Sequence, residues 1–236
     1  MNAERIRIGG IPAIIWGAPA DGVWIYVHGK MSSKESAGRF AEIAEANGFQ
    51  TLSFDLPEHG ERVDGAERCD IWNGIADLQR MGEYARARWP RLRLYGCSLG
   101  AFFGLHACRD WPLERCLFQS PIVDMEYLIR QMCVWFGVTE AQLRQQGEIP
   151  TPVDTLSWRY LEYVRAHPID IWSAPTAILY GGRDAMQSRA VMEDFARRFG
   201  CELTVSEHSE HPFMGAGDSA VVEKWLRDSM NGGRNS

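Results

Sequence analysis

Ser98 sits in Gly96-Cys97-Ser98-Leu99-Gly100, a serine with a glycine two positions away on each side. A serine hydroxyl attacks a carbonyl only when a base takes its proton and fixed donors receive the charge that develops. The G-x-S-x-G pattern is common by itself and becomes specific where it joins a strand to a helix. The reason is steric: a very sharp turn needs neighbours without bulk. Such a turn lifts the hydroxyl above the sheet, next to a helix N-terminus whose partial positive charge favours an oxyanion. Arg91-Leu-Arg-Leu-Tyr95 precedes the motif as a strand, and an Ala/Phe/Leu-rich helical run follows it. Centring the pattern on Cys97 would require glycines where Tyr95 and Leu99 stand, so the thiol is expected to point into the packing.

Six histidines are candidates for the base: His28, His59, His106, His167, His208 and His211. His28 ends a strand, before Gly29, and His59 lies in Asp55-Leu-Pro-Glu-His-Gly60; both read as hydrogen-bonding residues near a site. His106 falls inside the helix after Ser98 and reads as structural, and His167 precedes Pro168. His208 and His211 share the segment Ser206-Glu-His-Ser-Glu-His-Pro-Phe213, and His211 is preferred because it precedes Pro-Phe. A carboxylate must orient the base and stabilise its imidazolium. Asp184 follows a strand through Gly181-Gly182-Arg183, with Asp124, after the strand 116–119, as the alternative. The chain order is then serine, acid, histidine, which differs from the chymotrypsin and subtilisin orders.

These residues need a scaffold, and strand–helix alternation supplies one. Ile11–Trp16, Val23–Val27, Gln50–Phe54, Leu92–Tyr95, Cys116–Gln119, Thr176–Tyr180 and Glu202–Val205 read as strands. Helices are expected after a Ser32/Glu35 capping box up to Gly48, over Ile71–Trp89, Ala101–Arg109, Met186–Phe199 and Ala220–Met230. The tail NGGRNS reads as frayed. Such alternation implies an α/β fold with a mostly parallel central sheet flanked by helices, and ligands collect at the carboxyl ends of its strands.

The alternation breaks between residues 124 and 172, inside one domain spanning 1–236. Met125, Leu128, Ile129, Met132 and Phe136 mark a first helix; Thr139 and Gln142 form a capping box for a second, ended by Gly147; Thr151-Pro152 would start a third carrying Leu156, Tyr160, Leu161 and Val164. This helical insertion is either a small lid or an outer layer on the sheet. Its Met125, Met132, Trp135, Phe136 and Trp158 suggest an apolar pocket, although core packing accounts for some of them.

Composition narrows the rest. The chain has 236 residues, 45% hydrophobic and 24% charged, with net charge −6, which gives no electrostatic reason to expect nucleic acid. No apolar stretch is long enough to span a membrane, and the N-terminus lacks a signal-peptide core. Six cysteines without a CxxC pair read as free thiols in a reducing, cytoplasmic compartment.

His28-Gly29 after a strand, Gly96-Cys-Ser-Leu-Gly100, Tyr180-Gly-Gly-Arg-Asp184 and Glu210-His211-Pro-Phe213, together with Asp55 through Gly60, resemble the α/β-hydrolase superfamily in kind and order. Within it the chain looks like small bacterial serine esterase-like hydrolases of unassigned substrate. The resemblance implies a triad of Ser98, Asp184 and His211, with an oxyanion hole from the backbone N–H groups of Leu99 and Lys30. The segment Lys30-Met31-Ser32-Ser33 departs from the glycine-rich or bulky apolar stretch of many relatives. A lysine there either favours a negatively charged substrate group or is simply solvated. The reaction implied is cleavage of an ester-like bond of a small-molecule substrate through an acyl-enzyme, without metal or organic cofactor. Thioesterase, peptidase and lipase activities use the same triad, and a non-catalytic binding protein on this fold would usually lack one of its members.

Overall fold

In the computed structural model, which describes residues 1–230, the seven expected strands and one more assemble into an eight-stranded sheet in the order β1-β2-β4-β3-β5-β6-β9-β10. Its members are β1 (Ala3–Ile8), β2 (Ile11–Trp16), β3 (Gly22–Val27), β4 (Phe49–Phe54), β5 (Arg91–Cys97), β6 (Leu113–Gln119), β9 (Thr176–Gly181) and β10 (Glu202–Ser206). The pairs from β4 across β3, β5, β6 and β9 to β10 are all parallel, so the loops leaving them gather at one edge. The fold class is the one expected from the sequence. The expected fraying of the last six residues, 231–236, lies outside the described residues.

The alternation of side chains along the central strands builds two apolar layers. In β3, Val23, Ile25 and Val27 join one core cluster, and Trp24 and Tyr26 join the other. Helices α2 (Ile71–Arg86), α3 (Leu99–Ala107) and α7 (Arg189–Phe199) cover the first face with Leu78, Met81, Phe102, Phe103, Met192 and Phe195. Helices α1 (Gly38–Ala46) and α8 (Asp218–Ser229) cover the second with Phe40, Ile43, Trp225 and Leu226. Each such side chain, once buried, stabilises by about 1.5–3 kcal/mol. No described helix is long and apolar enough to cross a membrane.

Three local expectations need correction. Strand β1 was not anticipated, because Arg5 and Arg7 alternate with Ile6 and Ile8 on an exposed sheet edge, where charge discourages further pairing. Ser32 and Glu35 form no capping box; a 3-10 turn over Lys34–Ala37 comes first, and the Glu35 carboxylate accepts from Ser33 Oγ–H (2.9 Å) and pairs with Lys34 and Arg5. Thr151-Pro152 starts no helix. After α4 (Met125–Trp135) and α5 (Glu140–Gln146), a hairpin of β7 (Glu148–Pro150) and β8 (Thr155–Ser157) intervenes, and α6 (Trp158–Ala166) begins only where the Ser157 hydroxyl accepts the Tyr160 N–H. The Thr151 hydroxyl is spent inside the hairpin turn, donating to the Asp154 carbonyl (2.6 Å), and so caps nothing. The Thr139–Gln142 capping box is present.

Helix α3 crosses the sheet at very short range. A Cβ on Gly96 would lie 2.6 Å from Ala101 Cα, and one on Gly100 would lie 2.5 Å from both the Val27 and His28 carbonyl oxygens. Neither contact can relax, since the neighbours are backbone. Gly100→Ala is therefore expected to cost at least the about 1–3 kcal/mol of an overpacked core. Gly38→Ala, where a Cβ meets nothing within 4 Å, should leave stability nearly unchanged; urea unfolding of the two variants checks the contrast.

Candidate active site

Ser98 occupies the single residue between β5 and α3, at φ 51° and ψ −117°. A non-glycine residue in that region stores about 1–3 kcal/mol of strain and persists only where its surroundings over-determine it. Here they do. The Ser98 N–H donates to the Gln119 carbonyl (3.0 Å), and its own carbonyl accepts from the N–H groups of Ala101 (3.1 Å), Phe102 (3.3 Å) and Ile122 (3.3 Å). The neighbouring Cys97 is buried enough to push its thiol up to about 12, so it holds no thiolate near neutral pH.

The Ser98 hydroxyl lies 2.8 Å from His211 Nε2. On the far side of the ring, His211 Nδ1 lies 2.8 Å from Asp184 Oδ2. The Asp184 side chain is fully buried, and its other oxygen accepts from the N–H groups of Met186 (2.7 Å) and Gln187 (3.2 Å). The structure thus brings together three side chains that are far apart in sequence. His208 is exposed and outside this chain of contacts. Asp124 caps α4 instead, accepting from the Tyr127 N–H (2.8 Å).

The glycines of Tyr180-Gly-Gly-Arg-Asp184 allow this meeting. A Cβ on Gly181 would lie 2.6 Å from the Ser209 carbonyl oxygen, and one on Gly182 would lie 2.9 Å from Glu207 Cα. The two loops are then stitched by Gly182 N–H to Ser206 O (2.8 Å) and Arg183 N–H to Ser209 O (3.0 Å). Two glutamines not singled out from the sequence complete the support. Gln187, fully buried, accepts from the N–H groups of Val123 and Asp124 and donates to the Asp124 carbonyl. Gln119 donates to the Pro212 carbonyl (3.0 Å) and accepts from the Tyr95 hydroxyl (2.7 Å). The only sequence signal for Gln119 is a polar residue closing an otherwise apolar strand end.

The segment after β3 belongs to no helix or strand, yet it is clamped by side chains. His28 Nε2 accepts from the Leu56 N–H (3.1 Å), which leaves the proton on Nδ1 to donate to the Gly29 carbonyl (2.7 Å). In a planar trans peptide the C=O and N–H point in opposite directions, so this bond turns the Lys30 N–H away from the ring. His59 repeats the arrangement one peptide later: Nε2 accepts from the Met31 N–H (3.0 Å) and Nδ1–H donates to the Pro57 carbonyl (2.7 Å). Below them, Asp55 accepts from the Lys34 N–H (2.9 Å), the Lys34 ammonium (2.7 Å) and the Glu61 N–H (3.0 Å). Gly29 itself abuts the Ser98 turn, since a Cβ on it would lie 3.3 Å from Ser98 Cβ. Leu99 is the first residue of α3, where N–H groups have no partner within the helix.

A cleft of about 220 Å³ opens beside these groups, lined by Lys30, Met31, His59, Cys69, Leu99 and Asp154 among others. The apolar pocket suggested by the insertion is not what lines it. Met125 and Met132 are buried in the core, Phe136 and Trp158 pack against that core, and Trp135 is exposed. Lys30 is not simply solvated, because its ammonium pairs with Asp154 of the insertion. Among the described residues no group of three His, Cys, Asp or Glu side chains could hold a metal ion.

The architecture is that of the α/β-hydrolase fold. A ferulic-acid-bound Est1E from Butyrivibrio proteoclasticus superposes with a TM-score of 0.78 at 17% identity, covering 97% of this chain and 98% of that one. Mouse alpha/beta hydrolase domain-containing protein 10 gives 0.75 at 16% identity over 98% of both chains. A monoacylglycerol lipase from Paleococcus ferrophilus gives 0.65 at 17% identity, covering 97% of this chain and all of that one. No protein-family model and no curated protein matches the sequence.

Two stability effects follow from the clamps. Burial holds the His28 pKa down to about 4, below its ordinary 6.5, so on acidification the unfolded chain takes up the proton first. Stability is fully present above pH 6.5 and falls as the pH drops towards 4, by about 3 kcal/mol for this residue. His106, also held near 4 by burial, adds to the fall; a smaller fall in His28→Asn, measured by urea unfolding at graded pH, isolates the His28 share. Separately, Asp55→Ala leaves the Lys34 ammonium, whose side chain is 2% exposed, without its closest partner. Glu61 (2.9 Å) and Glu35 (3.1 Å) remain beside it, so a loss below the about 3–5 kcal/mol of a wholly unpaired buried charge is expected in the same assay at neutral pH.

Proposed function

We propose that this chain is a serine hydrolase of the α/β-hydrolase superfamily that cleaves an ester bond of a small or medium-sized substrate through an acyl-enzyme on Ser98. The continuous hydrogen-bonded line from Ser98 Oγ through the His211 ring to the buried Asp184 carboxylate carries this reading. The likeness to esterases and a lipase supports it at the level of the fold.

In the proposed cycle His211 Nε2 takes the Ser98 proton as Oγ attacks the ester carbonyl. His211 Nδ1 keeps its proton and donates it in a hydrogen bond to Asp184 Oδ2, which fixes the tautomer and stabilises the imidazolium that forms. The N–H groups of Leu99 and Lys30 receive the oxyanion, each worth about 3 kcal/mol of barrier in sites of this kind. The imidazolium then gives its proton to the departing alcohol. Water, deprotonated by the same ring, releases the acid and restores Ser98. The insertion between 124 and 172 serves as the cover of this site, since its Asp154 reaches the cleft lining.

The expected outcomes are specific. A fluorophosphonate forms one adduct, on Ser98, detected by mass spectrometry of the folded protein. Ser98→Ala forms none and hydrolyses p-nitrophenyl esters at least about 10⁴-fold more slowly, and Asp184→Asn loses about 10⁴-fold in kcat. Full ester hydrolysis by Ser98→Ala would falsify the assignment.

A further inference from the structure

The turn at the tip of the β7–β8 hairpin reaches back to the segment that follows β3. The Lys30 ammonium donates to the Val153 carbonyl (3.0 Å) and to the Asp154 carboxylate. The turn is organised around that contact. Its Thr151 N–H donates to the Asp154 carbonyl (3.0 Å), and the Asp154 N–H donates to Thr151 Oγ1 (3.1 Å). The Thr155 N–H donates to Asp154 Oδ1 (2.8 Å), while Oδ2 faces Lys30.

The root of the hairpin is held differently. Leu156 is 2% exposed in the main core, and the Trp158 N–H donates to the Gly147 carbonyl (2.8 Å). The root also carries an ion pair, Arg68 with Glu148 (2.7 Å), but its buried leucine has no counterpart at the tip, where Val153 is exposed. The side chains of Lys30 and Asp154 are 38% and 53% exposed, so their attraction is screened by salt and weak against the burial of Leu156. The tip attachment is therefore the weaker of the two. Both residues of the pair line the cleft beside Leu99, whose volume of about 220 Å³ is below that of drug-sized sites.

We propose that the Lys30–Asp154 bridge is a size gate for the active site. Closed, it confines the part of the substrate lying against Leu99 to a small group; open, it admits a longer one. The inference rests on Ser98 being the nucleophile. It makes Asp154 and the Lys30 side chain specificity-determining, apart from the oxyanion role of the Lys30 backbone.

The test is the rate of Ser98 labelling by a short-chain and by a long-chain alkyl fluorophosphonate, read by intact-protein mass. It compares the unaltered protein, Asp154→Asn and Asp154→Ala, each at low and high salt. The Asn variant keeps an acceptor for the Thr155 N–H and hence the turn, so it separates loss of charge from loss of structure. The long-to-short rate ratio is expected to rise up to about fivefold in both variants, the ceiling for an exposed ion pair. High salt should raise it in the unaltered protein and leave it unmoved in the variants. A ratio indifferent to both substitution and salt, with Ser98 labelled throughout, overturns the gate and leaves the hydrolase reading intact. Absence of any Ser98 label overturns that reading and the gate with it.

Discussion

The rest of the structure depends on the approach of α3 to the strands beneath it, where backbone meets backbone. Gly100 meets the backbone oxygens of Val27 and His28, and Gly96 meets Ala101, at distances no Cβ could tolerate. That approach decides where Ser98 stands, because the chain must reverse from strand to helix within one residue. It also decides which loop stands beside Ser98, because the carbonyls against Gly100 belong to the end of β3 and the start of the next segment. Ser98 and the neighbouring loop are therefore positioned by one contact. Parallel pairing from β4 to β10 then delivers the Asp184 and His211 loops to the same edge. The same device recurs there, with Gly181 and Gly182 admitting the backbone of the histidine loop.

Charge is handled by enclosure. The Lys34 ammonium is taken from water and surrounded by Asp55, Glu35 and Glu61, while Asp55 also accepts two backbone N–H groups. A buried pair of this kind is weak evidence for net stability, since desolvation opposes attraction. Its value lies in geometry: Asp55 opens the loop after β4 and Lys34 begins the 3-10 turn after β3, so their contact sets the distance between these two connections. Gly60 closes the arrangement, because a Cβ there would fall 2.2 Å from Asp55 Oδ1.

What could be read from the sequence was whatever repeats or punctuates. Apolar runs such as Val23–Val27 and Thr176–Tyr180, being buried on both faces, stand out as parallel strands, and the glycine-flanked Ser98 marks its own turn. Asp184 and His211 were legible through their place after strand ends. The hairpin over Glu148–Ser157 was not, because three-residue strands leave no periodicity and the Thr151-Pro152 pair imitates a helix start. Edge strand β1 was masked by its arginines. The partners of Gln119 and Gln187, and the Lys30–Asp154 pair, were hidden for a deeper reason. Each joins segments distant in sequence, and no local rule says which polar side chain will meet which backbone group.

The two histidine clamps show why such long-range bonds are needed at this place. In the proposed cycle the Lys30 N–H receives transient charge, and an N–H with that task cannot be committed to a ladder, so the segment bearing it must lie outside one. Its other peptide groups still require partners when buried. A side chain that accepts one N–H and donates to one carbonyl satisfies this, and a neutral imidazole does both at once. His28 and His59 are used in this way, each accepting from one backbone N–H and donating to one backbone carbonyl. Burial that keeps His28 neutral is part of the same arrangement, since a second proton would abolish the acceptor that holds Leu56. The loop is thereby held without a ladder or a helix, and neither clamp uses the Lys30 N–H.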